Sequence, residues 1–198
     1  MKLKSGIILV LAAMMMASCI KERNLNYDQA LLENEIGNNN LMIAYRVPAG
    51  YKMVDSDFTD SIAKLEHALD PFAERRIAIF VDTLLGNANI SLYDMRQLPY
   101  ERTEDRLDLY KAAYNPNNQW ESIEKNVFKY GDFEKIVELI MVNETQNRRL
   151  QKYYFYENGK AQFSVDYYFR NDYYNDLKPY IDASLASFHK DIQIIISR

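Results

Sequence analysis

The dipeptide Asn158-Gly159 lies between the aromatic runs Tyr153-Tyr154-Phe155-Tyr156 and Phe163-Ser164-Val165-Asp166-Tyr167-Tyr168, and no other feature constrains this chain as strongly. Both turn residues tolerate positive φ, so a two-residue primed turn is expected there, pairing the flanks as antiparallel strands over residues 149–170. Such a loop pairs Glu157 with Lys160, Tyr156 with Ala161, Phe155 with Gln162 and Tyr154 with Phe163. Strand side chains alternate, so this register gathers Tyr154, Tyr156, Phe163, Val165 and Tyr167 on one face as core. The other face then carries Tyr153, Phe155 and Tyr168 among Gln162, Ser164 and Asp166. Aromatic rings mixed with amide and carboxylate groups suit a binding surface for sugar or peptide. The competing reading buries this face beneath a helix.

The rest of the chain supplies a sheet and helices. Residues 41–47 form a β-rich run closed by Pro48 and Gly50. Residues 57–70 read as a helix with Phe58, Ile62, Leu65 and Leu69 at helical spacing, and with His67 on the opposite, solvent side. Strands are expected at residues 75–82 and 87–94, joined through Leu84-Leu85-Gly86. A second helix follows at 101–114, closed by Asn115-Pro116. A hairpin over 122–143 turns at Gly131-Asp132. A last helix at 176–189 lines up Leu177, Ile181, Leu185 and Phe188, and a final strand is expected at 192–196. The run Ile136-Val137-Glu138-Leu139-Ile140-Met141-Val142 is nearly continuous in apolar residues, which implies a strand buried on both faces. The expected fold is therefore α+β, a mostly antiparallel sheet with helices on both faces.

This order of elements resembles a known family. The resemblance rests on Val47-Pro48-Ala49-Gly50-Tyr51, Lys129-Tyr130-Gly131-Asp132-Phe133, the tyrosine-rich hairpin through Asn158-Gly159-Lys160, and the closing helix Ile181-Asp182-Ala183-Ser184-Leu185-Ala186-Ser187-Phe188. Over residues 41–190 the chain looks like the PsbP-like group, including bacterial DcrB-type lipoproteins with an α/β/α sandwich. The resemblance implies a protein that acts by binding or assembly and carries no shared active-site signature.

The N-terminus gives an address. Lys2 and Lys4 precede an apolar run over residues 7–16 and then Ala17-Ser18-Cys19. The run is too short to remain as a membrane span, so residues 1–18 read as a signal peptide. The residues before Cys19 resemble the lipobox of bacterial lipoproteins, with Met16 where leucine is usual. That resemblance implies acylation of Cys19, which becomes the mature N-terminus; Ile20 in place of aspartate implies the outer membrane. Residues 19–40, rich in Asn, read as a tether, and residues 41–198 as one domain. The mature chain keeps 22 basic residues (24 less Lys2 and Lys4) against 28 acidic ones, a net charge of about −6. It has no basic stripe, which argues against a nucleic-acid partner.

Motifs for catalysis are missing. The two histidines, His67 and His189, stand far apart in sequence, and no HExxH, Gly-x-Ser-x-Gly or phosphate-cradling loop occurs. No cofactor or metal is expected: Asp55, Asp57, Asp60 and Glu66 lack the glycine an EF-hand loop needs, and read as a helix cap. Ser61 and Thr83 fall in Asp-Ser/Thr-apolar triplets that resemble O-glycosylation acceptors. The expected function is a lipid-anchored binding or assembly factor for an envelope protein or glycan. The alternative is a carboxylate-based hydrolase of envelope polymers, because paired Asp or Glu groups need no motif.

Overall fold

The computed structural model describes residues 20–70, 73–83, 88–98 and 119–191. Within them the strands are β1 (Ile36–Asn38), β2 (Ile43–Tyr45), β3 (Tyr51–Met53), β4 (Arg75–Asp82), β5 (Asn89–Asp94), β6 (Ser122–Phe128), β7 (Lys135–Asn143), β8 (Arg148–Glu157), β9 (Lys160–Phe169) and β10 (His189–Lys190). The helices are α1 (Ser56–Leu69) and α2 (Tyr174–Ser187). Seven strands make one sheet in the order β3-β4-β5-β9-β8-β7-β6, and β1-β2-β10 make a second, smaller one. Every registered pairing in both sheets is antiparallel. The expected helix at 101–114, strand at 192–196 and joint at Leu84-Leu85-Gly86 lie outside the described residues, as does Cys19.

The β8–β9 hairpin turns where the sequence dictates. Asn158 and Gly159 hold φ of 51° and 72°, and Glu157 pairs with Lys160 and Tyr156 with Ala161. The pairing then slips: Phe155 lies opposite Phe163, Tyr154 opposite Ser164 and Tyr153 opposite Val165. Gln162 is the extra residue of a bulge, and its carbonyl accepts the backbone N–H of Met95 at 3.0 Å. A one-residue slip moves every later side chain to the opposite face. The expected face assignment is thereby corrected. Tyr153 and Phe155 join Phe163, Val165 and Tyr167, while Tyr154 and Tyr156 lie on the face of Ser164, Asp166 and Tyr168.

Both faces of the large sheet are covered, as the continuous apolar run predicts. Ile136 packs into the first core, beneath α2 and the small sheet, with Phe155, Phe163, Ile181, Leu185 and Phe188. There Phe155 and Phe163 stack with centroids 4.4 Å apart, and Phe188 from the end of α2 lies 5.1 Å from Phe155. Val137, Leu139 and Met141 turn to the second core, with Tyr93, Trp120, Tyr154 and Tyr156. α1 lies on this second side of the sheet, held by a bidentate Glu66–Arg76 pair.

α1 departs from expectation. Its inward residues are Thr59, Ile62, Ala63 and Glu66, an i, i+3, i+4, i+7 set, whereas Phe58, Leu65 and Leu69 keep 55%, 61% and 80% of their surface in water. Pairing Glu66 with Arg76 rotates the helix by roughly 90° from the orientation its apolar stripe predicts. Of the acidic residues read as a cap, Asp55 is the N-cap. The Asp55 carboxylate accepts the N–H groups of Asp57 and Phe58 at 2.9 and 3.4 Å.

The Asn-rich segment is no free tether over its described residues. Leu25 is buried in the first core, β1 pairs with β2, and Glu22 bridges Lys129. Asparagine-rich composition signals turns, but Arg23 reaches Glu138 and Leu25 enters a core built from residues far along the chain, which no local pattern reveals.

Candidate functional site

The five residues expected to share a binding face are dispersed. Tyr153 and Phe155 are sealed in the first core, at 2% and 0% exposure. Gln162 sits in the bulge, and its amide donates to the carbonyls of Glu157 and Lys160. Asp166 and Tyr168 share the opposite face, Asp166 buried and Tyr168 half-buried. The slip at Gln162 is the physical cause, since it carries Tyr153 and Phe155 away from the other residues.

Polar chemistry concentrates instead around Lys152, on the second face. Its ammonium lies 2.5 Å from Glu74 Oε2 and 2.9 Å from Asp166 Oδ1, the latter without hydrogen-bond alignment. The Tyr154 hydroxyl donates to Glu74 Oε1 at 3.2 Å and Ser164 Oγ to Glu74 Oε2 at 3.4 Å. Lys152 also stands over the ring of Tyr93, 4.4 Å from its centroid. The side chains of Lys152 and Glu74 are each only 4% exposed. Burial pushes the Asp166 carboxyl up to about 6, against the pull of Lys152. Two carboxylates do face one another here, but across a lysine that binds both, which suits an internal ion cluster better than a pair opposed across a substrate.

A second buried ion pair lies on the first face. Glu138, in the middle of β7, receives both guanidinium nitrogens of Arg23, the Asn126 amide at 3.0 Å and the Tyr153 hydroxyl. Burial raises its carboxyl, but the bonds and charge of Arg23 outweigh it and hold the group below the usual carboxylate range. Arg23 also covers the ring of Phe128 at 3.7 Å. Sequence reasoning missed both clusters. The one available signal was a charge at Glu138 and at Lys152 inside strands with both faces buried.

At the surface, Phe58, Leu65 and Leu69 form the exposed flank of α1. Ser61 Oγ donates to the Asp57 carbonyl on that helix, and Thr83 Oγ1 donates to Gly50 O, both in exposed settings. His67 and His189 are exposed, and His189 Nδ1 lies 2.8 Å from Ser187 O. Tyr168 lines an open cleft with Gln146, Asn147, Arg148, Phe169 and Arg170.

No protein-family profile matches this sequence, and no curated protein matches it. Among solved structures, it is similar to the solution structure of cyanobacterial PsbP (CyanoP) from Synechocystis sp. PCC 6803. The identity is 15%, the TM-score 0.51, and the match covers 89% of this chain and 99% of that one. At that identity the likeness speaks to fold alone, and the fold is PsbP-like α+β.

Proposed function

We propose that this chain is a non-catalytic binding or assembly factor of the cell envelope, a DcrB-type lipoprotein anchored in the outer membrane through acylated Cys19. The observation that carries the binding reading is the flank of α1. Three large apolar residues, Phe58, Leu65 and Leu69, lie in water on one helix side, while Glu138 and Lys152 in the sheet are turned inward and paired. Exposed apolar stripes of this kind mark contact surfaces. Asp55 precedes the stripe and Asp57 and Asp60 flank its first turn. The partner it fits is a protein presenting an apolar ridge bordered by Lys or Arg.

The anchor reading rests on the signal-like N-terminus and Cys19. With Arg23 fastened to Glu138, three residues, Ile20, Lys21 and Glu22, separate the acylated Cys19 from the fastened residue, a span of four residue steps or at most about 14 Å. The hydrolase alternative would use Glu74 and Asp166; the lysine between them and their burial weigh against it.

The test is site-specific photocrosslinking in the native envelope. A crosslinker at Leu65 is expected to give one discrete protein adduct that Phe58→Glu abolishes, while a crosslinker at exposed Lys52 gives none. Equal adduct patterns at both positions would overturn the partner surface. Intact mass of the membrane-extracted protein tests the anchor: residues 19–198 plus acyl chains is expected, and an unmodified full chain would overturn it.

A further inference from the structure

On the second face of the large sheet, at the end of β8 and β9, the pairing continues past its last registered pair, Arg149 with Phe169, through the Asn171 N–H to the Asn147 carbonyl at 3.3 Å. Arg148 and Arg170 therefore lie directly opposite one another, with their side chains on the same face as Tyr168. Like charges in directly opposed sheet positions repel, and such a pair is disfavoured without a compensating anion. Arg170 has one, since Asp172 takes its guanidinium through bonds of 3.2 and 2.6 Å. For Arg148, no carboxylate bridges it among the described residues, and its Nε is buried without a hydrogen-bond partner. Arg149 does not compete for the same space. It faces the other side, over the Tyr174 ring at 3.7 Å and against Asn171.

These groups open into a cleft of about 360 Å³, which Tyr168, Arg148, Arg170 and the Gln146 and Asn147 residues line together. That volume admits one pyranose ring, at the small end of the ~300–1,000 Å³ typical of ligand sites. An arginine fork matches a planar or tetrahedral oxyanion, an aromatic ring offers an apolar wall for a sugar face, and side-chain amides suit hydroxyls.

We infer that this cleft binds an acidic sugar, with the oxyanion on Arg148 and the pyranose ring against Tyr168. The site is separate from the α1 flank and does not depend on the protein-partner reading. Its ligand chemistry, an oxyanion on a pyranose, is shared by uronic acids and by sugar phosphates.

The test uses the full chain in amine-oxide detergent micelles, followed by NMR of the Arg Nε–Hε signals and the Tyr168 ring. The probes are glucuronate, glucose 6-phosphate, glucose and inorganic phosphate. Glucuronate, glucose 6-phosphate or both are expected to shift Arg148 and Tyr168 saturably, at least tenfold more tightly than glucose or inorganic phosphate. The tighter of the two acids identifies the source, a uronate-bearing or a phosphorylated glycan. Arg148→Ala is expected to weaken binding at least tenfold while its unfolding transition stays unchanged. The proposal is overturned if neither acid shifts these signals, if Arg148→Ala binds as well as the parent, or if inorganic phosphate binds as tightly and leaves Tyr168 unmoved.

Discussion

Arg23 grips Glu138 through two parallel hydrogen bonds of 3.1 and 2.7 Å, tying the start of the described chain to the middle of a strand 115 residues away. Glu138 is 4% exposed at its side chain and Arg23 32%. A carboxylate so placed depends on its partner, because burying it alone carries a desolvation cost of several kcal/mol.

Arg23→Ala is therefore expected to destabilise the fold by about 3 kcal/mol, the low end for a broken buried pair given the partial exposure of Arg23. The double variant Arg23→Met/Glu138→Met is expected to recover most of the loss. Urea denaturation of the three proteins measures both effects. The pH sign follows from the depressed Glu138 carboxyl: its contribution is present above the usual carboxylate range and is lost as pH falls through its folded value.

If Cys19 carries the proposed lipid, the same lock fixes how the domain sits on a membrane. The strands β6 and β3 are the two edges of the seven-stranded sheet, six strand spacings or about 29 Å apart. In the acylated mature protein on vesicles, a fluorophore on Cys introduced at Val127 of β6 is expected to be quenched by brominated lipids. A fluorophore at Met53 of β3 is not. Both sites are exposed, and with Cys19 acylated the introduced thiol is the only reactive one. Equal quenching at the two sites would refute a fixed orientation.

Asp166 titrates in the opposite sense to Glu138. Its folded value of about 6 exceeds the ordinary 3.8 because burial disfavours its charge. The folded state holds its proton more tightly than the unfolded state, so its contribution to stability falls as pH rises from about 4 to about 6. Relative to Asp166→Asn, the parent is expected to lose on the order of 2 kcal/mol across that window. Parallel stabilities of the two proteins between pH 4 and pH 6.5 would contradict this.

The α1 stripe and the first core predict contrasting substitutions. Leu65→Lys is expected to change stability by no more than about 0.5 kcal/mol, as for an exposed site. Phe155→Ala, which empties a space among Phe133, Phe163 and Phe188, is expected to cost about 3–5 kcal/mol. Thermal unfolding of each variant is the measurement, and a large loss at Leu65 would mean that the stripe is covered within the molecule.

The elements of this protein are legible in its sequence because they depend on local chemistry. Asn158-Gly159 supplies positive φ, the apolar run through Ile136 and Leu139 requires cover on both sides, and Ile181, Leu185 and Phe188 recur at helical spacing to meet the first core. Tertiary structure alone decided which way those elements turn. A single unpaired residue, Gln162, inverted the aromatic faces of β8, and it did so because Met95, 67 positions earlier, takes its carbonyl. α1 lies within one residue of its predicted span but turns another side to the sheet, where Glu66 pairs with Arg76 while Phe58 and Leu65 stay in water. The anchoring of residues 20–40 and the buried clusters at Lys152 and Glu138 have the same origin. Hydrogen-bond and charge partners distant in sequence are chosen by the folded geometry, and no periodicity in the chain records them.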